Sequence, residues 1–274
     1  MQKPFWTAFT SILMALPVSA ASVDGIAIHS ATAGSGKDVI FVHGWTCDSS
    51  SWAAQVPFFS KKYRVITLDL PGHGRSAAPK DGKFSIDLFA RALEAVRQEA
   101  GADNVVLIGH SMGAMVIRQY TQLYPQHLAA IVGVDGLLDV RGMPKQHITE
   151  ELPPLTGVEG MKTREKMIRD MFTPQTTAAV QRHVLDMMLA APAATATGAA
   201  SASYAWLRTK TDMTKVPAFA VYASTRSLPD AEEMKKGVPN YDAVQMPGTG
   251  HFLMMEQPEQ FNTTVMTFLD RIRF

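Results

Sequence analysis

Val105-Val106-Leu107-Ile108-Gly109-His110-Ser111-Met112-Gly113-Ala114-Met115-Val116-Ile117-Arg118-Gln119-Tyr120 is the stretch that decides how the rest of the chain is read. Residues 105–108 form an apolar, partly β-branched run, long enough for a buried strand and too short for a helix. Beyond Gly113, the positions Met115, Val116, Gln119, Tyr120 and Leu123 are spaced like one face of a helix. Between the two, Gly109-His110-Ser111-Met112-Gly113 puts a serine at the apex of a tight turn. Strand, Gly-x-Ser-x-Gly turn and helix in that order make a nucleophile elbow. The glycines have a physical task, because side chains there would collide with neighbouring backbone as helix packs on strand. Ser111 is predicted to sit in a strained conformation, its hydroxyl exposed above the helix N-terminus.

The 274 residues are 46% hydrophobic and 19% charged, enough for one large domain with a substantial core. A net charge of +1 offers no electrostatic basis for binding nucleic acid or an anionic membrane surface. The first 21 residues read as a signal peptide. Lys3 is a short basic region, 5–18 is an almost uncharged apolar run, and Val18-Ser19-Ala20 supplies small residues at a cleavage site. The run is too short to span a bilayer, so export to the periplasm or the medium is expected, without a stable membrane anchor. Cys47 is the single cysteine, which excludes an intramolecular disulfide, and it is expected to be a small buried thiol.

Along the chain, 26–33 alternates loosely and predicts an edge or hairpin strand. Gly34-Ser35-Gly36-Lys37 is not a phosphate loop, since Asp38 stands where Ser or Thr is needed. Residues 39–42 predict a buried strand that ends in His43-Gly44-Trp45-Thr46, and 51–59 a short helix. A strand over 63–68 runs into the Gly/Pro-punctuated loop Asp69-Leu70-Pro71-Gly72-His73-Gly74-Arg75-Ser76. Ser85 is placed to cap a helix whose apolar stripe is Ile86, Phe89, Leu93 and Val96. After the elbow comes a buried strand over 128–134, with Asp135 at its carboxyl end.

From about 137 to 212 the pattern changes to helices without a clear strand. One covers 161–172, a second begins with Thr173 as cap and Pro174 at its first position, and a third covers 193–206. Met143, Met161, Met167, Met171, Met187 and Met188 make this insert methionine-rich, mostly for packing. Strands near 218–223 and 243–246 then alternate with helices near 230–236 and 258–272. Such alternation implies an α/β fold: a mostly parallel central sheet with helices on both faces, and a helical lid over the strands' carboxyl ends.

Four motifs in this order resemble the α/β-hydrolase superfamily, specifically its lidded serine esterase-like branch. They are His43-Gly44-Trp45, the loop 69–76, Gly109-His110-Ser111-Met112-Gly113, and Gly250-His251-Phe252 with Glu256-Gln257-Pro258 beyond. The match covers 22–274, with the lid at about 137–212. It implies that His251, on a Gly-flanked loop after the last strand, is the base that activates Ser111. His43 and His73 lie in turn motifs, His110 points away from the apex, and His127, His147 and His183 fall on expected surface helices or loops. The oxyanion donors are expected to be the backbone N–H of Met112 and, by resemblance, that of Trp45.

The acid departs from the family pattern. The loop after the strand that follows the lid reads Tyr222-Ala223-Ser224-Thr225-Arg226-Ser227, with no carboxylate. Some family members carry the acid one strand earlier, where this chain has Asp135; Asp230, at an expected helix start, is the alternative.

The reading is an exported serine hydrolase of small to medium carboxylic esters or lactones, acting through an acyl-enzyme. No cofactor or metal is expected, and a small-molecule ester is the expected partner; the oligomeric state is left open. A C–C hydrolase, a cofactor-free perhydrolase or a lyase could share the fold, as could a non-catalytic binding protein, which only the displaced acid favours. N-terminal sequencing of exported protein should start near Ala21 or Ser22, and a retained segment 1–18 would overturn the leader assignment.

Overall fold

The computed structural model describes residues 21–142, 152–209 and 211–274, so the expected leader and Met143 and His147 of the insert lie outside the described residues. β1 (Ser22–Val23) and β2 (Ile26–Ala27) form a small hairpin around Asp24 and Gly25, both at positive φ. β3 (Ser30–Ala33) instead pairs antiparallel at the edge of the main sheet. The strand expected over 26–33 is therefore two pieces, because the chain changes hydrogen-bonding partner at 28–29.

β4 (Asp38–Val42), α1 (Val56–Phe59), β5 (Arg64–Leu68), α2 (Ile86–Glu99), β6 (Val105–His110), α3 (Met112–Leu123) and β7 (Leu128–Val134) follow in order. The insert carries α4 (Gly157–Arg169), α5 (Ala178–Ala190) and α6 (Ala193–Leu207). β8 (Ala218–Ala223), α7 (Ala231–Lys235), β9 (Tyr241–Met246), α8 (Leu253–Glu256) and α9 (Pro258–Arg271) complete the chain. The seven strands lie in the order β3-β5-β4-β6-β7-β8-β9, parallel throughout except for β3.

Every residue of β4, β6 and β8 is buried, as expected of parallel strands covered on both faces. The two-residue period of the strand divides the core. Ile40 and Val42 pack with Phe89, Leu93, Ile117 and Tyr120 of α2 and α3. Val39 and Phe41 pack on the other face with Phe59 of α1 and Phe261, Val265 and Leu269 of α9. Ser85 caps α2 as its sequence suggests, accepting the Leu88 N–H at 2.9 Å.

Three helices differ from expectation in their bounds, the first being that expected over 161–172, which is α4 at Gly157–Arg169. The helix expected over 51–59 is a 3-10 turn (Ser49–Trp52) capped by Asp48, followed by α1. Pro57 has no N–H to continue a helix from the preceding turn, and suits only the start of a new one. The second insert helix does not start at Thr173. The Thr173 N–H donates to Thr176 Oγ1 (2.9 Å), closing a turn, and Thr177 caps α5 instead.

Both ends of the insert are held by one buried carboxylate. Asp139 Oδ2 accepts from Arg118 Nη2 of α3 (3.0 Å), Arg141 Nη1 (2.8 Å) and Thr211 Oγ1 (3.1 Å). Arg118 also donates to the Asp212 carbonyl (2.6 Å), and Arg141 to that of Thr211 (2.8 Å). The chain thus leaves and re-enters the α/β body at the same ion pair. Phe84 attaches α6 to the body, its ring lying where a Cβ at either Gly72 or Gly198 would fall. Arg118 and Asp139 side chains are wholly buried, so Asp139→Ala would leave an uncompensated guanidinium in the core. Denaturant unfolding should show a loss of about 3–5 kcal/mol for Asp139→Ala. A loss below about 1 kcal/mol would mean the clamp does not hold the insert.

Candidate active site

Ser111 stands between β6 and α3 with φ 52° and ψ −114°, a conformation that non-glycine residues rarely adopt. The elbow is built by close approach. A Cβ on Gly109 would strike the carbonyl of Gly113, and one on Gly113 the carbonyls of Val42 and His43. The Ser111 N–H donates to the Val134 carbonyl (2.9 Å), tying the apex to the end of β7. Thr46 (φ 53°) and Asp135 (φ 41°) are also left-handed, so three strained residues stand on the turns around one point. Clustering of this kind is the pattern of a functional site.

Asp135 closes β7. Its N–H donates to the Val221 carbonyl (2.8 Å), and its Oδ1 accepts the Ala223 N–H (3.0 Å), so the end of β8 holds the carboxylate. His251 Nδ1 lies 2.6 Å from Asp135 Oδ2, and His251 Nε2 lies 3.0 Å from Ser111 Oγ. With Nδ1–H donating to the carboxylate, Nε2 is the acceptor for the serine hydroxyl. Burial works to raise the Asp135 carboxyl, but the His251 hydrogen bond, the charges of His251 and Arg226, and the Ala223 N–H together hold it below the usual range. Three of the residues singled out in the sequence therefore form one continuous chain. Asp230 stays apart, capping α7 by accepting the Glu232 and Glu233 N–H groups.

The Met112 N–H is at the first position of α3, where a helix offers no internal acceptor. The turn with Gly44 and Trp45 abuts the same point, since a Cβ on Gly44 would lie 3.1 Å from Ser111 Cβ. The indole of Trp45 donates to the Ala196 carbonyl of α6 (2.8 Å). His43 stabilises this turn in its neutral form: Nδ1–H donates to the Gly44 carbonyl (2.8 Å), and Nε2 accepts the Leu70 N–H (2.9 Å). Burial lowers its proton affinity. Asp69 anchors the neighbouring loop by accepting the Ser49 and Arg75 N–H groups, at 2.8 and 2.9 Å. Cys47 is buried as expected, and burial pushes its thiol up to about 12, far from a reactive thiolate.

Three residues that the sequence leaves without a role at this site hold the His251 loop, and a fourth, Arg226, stands against Asp135. The ring of His110 lies 4.7 Å from that of His251, and its Nε2–H donates to the His251 carbonyl (2.8 Å). Burial, then the His251 charge, pushes the His110 imidazole down to about 3, so it is a neutral support. Glu256 Oε2 accepts the Gly250 N–H (2.5 Å), while its Oε1 accepts from Thr176 of the insert (2.9 Å). Ser224 bonds both backbone groups of Thr249, at 2.9 and 3.1 Å. Arg226 Nε is 3.4 Å from Asp135 Oδ2. The motif Glu256-Gln257-Pro258 is a sequence signal for the second of these; for His110 and Ser224 only the fold supplies it.

Among the described residues, no group of three or more His, Cys, Asp or Glu side chains could hold a metal ion, and no helix is long and apolar enough to cross a membrane. The family model described as "alpha/beta hydrolase fold" matches residues 38–184. An AB hydrolase superfamily protein, YisY, of Bacillus subtilis is 25% identical over 252 residues, covering 86% of this chain and 92% of that protein. The dihydrolipoyllysine-residue acetyltransferase component of an acetoin cleaving system of Pseudomonas putida is 26% identical over 243 residues; the match covers 85% of this chain but 64% of that protein's length. A thermophilic esterase from Thermogutta terrifontis, solved with malate bound, superposes with a TM-score of 0.79 at 23% identity, covering 93% of this chain and 97% of its own.

A carboxylate in a Ser-His-Asp chain fixes the imidazole tautomer and stabilises the imidazolium, so its amide costs on the order of 10⁴ in kcat. Asp135→Asn should therefore lose about four orders of magnitude in ester turnover, and Asp230→Asn almost none, with both folded by circular dichroism. The reverse ranking would contradict the placement described here.

Proposed function

Because this chain belongs to the α/β-hydrolase fold family, we propose that it is a serine hydrolase cleaving small to medium carboxylic esters or lactones through an acyl-enzyme. The observation that carries this reading is the unbroken chain Ser111 Oγ to His251 Nε2 (3.0 Å) and His251 Nδ1 to Asp135 Oδ2 (2.6 Å). Attack by Ser111 on the ester carbonyl would pass the hydroxyl proton to His251 Nε2. The oxyanion would fall within reach of the Met112 and Trp45 N–H groups, and Asp135 would bear the imidazolium without taking the proton. His251 would then protonate the leaving alkoxide, and a water molecule activated by the same nitrogen would release the acid.

Ester substrates are favoured by the Thermogutta terrifontis relative, which is an esterase. Beside the turn that bears Trp45 lies a cavity of about 410 Å³, whose lining includes neither Ser111 nor His251. It is lined by Thr46, Ser50 and Arg75 of the body and by Met187 and Pro192 of the insert. In this reading the insert serves as the lid, which its contacts with Trp45 and Glu256 support. Export rests on the leader-like composition of 1–21.

An organophosphonate should label the wild-type protein covalently on Ser111, and Ser111→Ala should lose both labelling and ester hydrolysis. Hydrolysis that survives in Ser111→Ala would remove the nucleophile from this reading.

A further inference from the structure

Arg226 occupies the loop after β8, where the family resemblance would have placed the acid. Its Nε stands 3.4 Å from Asp135 Oδ2, the same oxygen that accepts from His251 at 2.6 Å. The arginine side chain is 51% exposed and that of Asp135 only 1%, so the guanidinium closes the solvent side of a buried carboxylate. Its position is set by backbone as well as by charge. The Arg226 N–H donates to the Ala223 carbonyl (3.2 Å), and the Arg226 carbonyl accepts from Gln245 Nε2 of β9 (2.6 Å).

We infer that Arg226 is a positioning residue that sets the lower end of the pH range in which the Ser111, His251 and Asp135 chain works. The inference rests on the function proposed above. A histidine base is active only while neutral, and Asp135 alone would draw a proton onto it. The guanidinium shares the carboxylate oxygen, offsets part of its charge, and opposes a second positive charge on the ring beside it.

The elements around the Ser111, His251 and Asp135 chain carry the following groups. β7 is followed by Asp135; β6 ends in His110, kept neutral by burial. β4 is followed by His43, whose proton affinity burial also lowers. α8 supplies Glu256, held on the Gly250 N–H. β8 contributes Tyr222, whose phenol burial keeps protonated. The insert offers the Met171 carbonyl. Asp135 and Glu256 favour the imidazolium and Arg226 opposes it. Without Arg226 the imidazolium is easier to form, so activity must be lost at a higher pH as the solution is acidified.

The test is the pH dependence of kcat/KM on a chromogenic ester for wild type, Arg226→Met and Arg226→Lys. At about 20 mM salt, the acidic limb of Arg226→Met should move up by about 0.5–1 pH unit, as expected of a half-exposed charge a few ångströms from the ring. At about 1 M salt that displacement should shrink to less than half, because exposed charges are screened. Arg226→Lys should restore the wild-type limb in large part. Superimposable profiles for Arg226→Met and wild type would overturn the inference. So would a displacement that high salt leaves intact, or one that lysine fails to reverse, since either would point to loop geometry rather than charge. Arg226→Gln, run in parallel with circular dichroism, serves the same comparison if the methionine variant unfolds. Turnover surviving in Ser111→Ala would sink the proposed chemistry itself, whereas a dead Ser111→Ala beside an unchanged Arg226→Met profile sinks this inference alone.

Discussion

Everything at the site depends on how closely α3 can approach the strands behind it. The carbonyls of Gly113, Val42 and His43 stand where Cβ atoms on Gly109 and Gly113 would be, so the first turn of α3 packs directly on β4 and β6. That contact forces Ser111 into its left-handed conformation and leaves the Met112 N–H at the open end of the helix. It also brings the Gly44 turn against the serine. Backbone strain of this size, about 1–3 kcal/mol per residue, persists only where the surroundings over-determine it. Here two fully buried parallel strands and the core on both sheet faces do so.

Much of this was legible in the sequence because short-range patterns encode it. The apolar run 105–108, the two glycines around Ser111 and the Ser85 cap each specify local geometry, and the structure agrees with each. The position of Asp135 could be argued because a residue that ends a strand beside the elbow strand has few places to go. Register makes this explicit: Val134 pairs with His110, so Asp135 stands level with Ser111. What the sequence hid was of two kinds. The boundary at Thr173 turned on which nearby group captured a backbone N–H, a contest that propensity does not decide, and the one at Pro57 on the N–H that proline lacks. The supports of the His251 loop come from positions as far as 141 residues away, and no local pattern announces them.

The insert illustrates how a long excursion from a parallel sheet can be kept in register. Its two ends meet at Asp139 and Arg118, a wholly buried pair in which further donors satisfy the carboxylate. Such a pair adds less to stability than an apolar cluster of similar volume, but mispairing it is expensive. Its contribution is therefore to specify where the chain departs and returns. Between those points the insert touches the body through apolar packing, as at Phe84, and through polar contacts that include those at Trp45, Glu256 and Gly72.

The ring of Phe84 carries a consequence for how this chain can vary. Gly72 has φ 79° and would need glycine whatever lay beside it, whereas Gly198 sits inside α6 with ordinary helical geometry. A helix gives up about 1 kcal/mol for glycine in place of alanine, so nothing in α6 itself asks for one there. The demand comes from the phenylalanine across the gap. Positions 84 and 198 therefore form a single unit of substitution: relatives that keep an aromatic residue at the first should keep glycine at the second, and those that shorten the first are free to turn the second into alanine and gain a more stable helix.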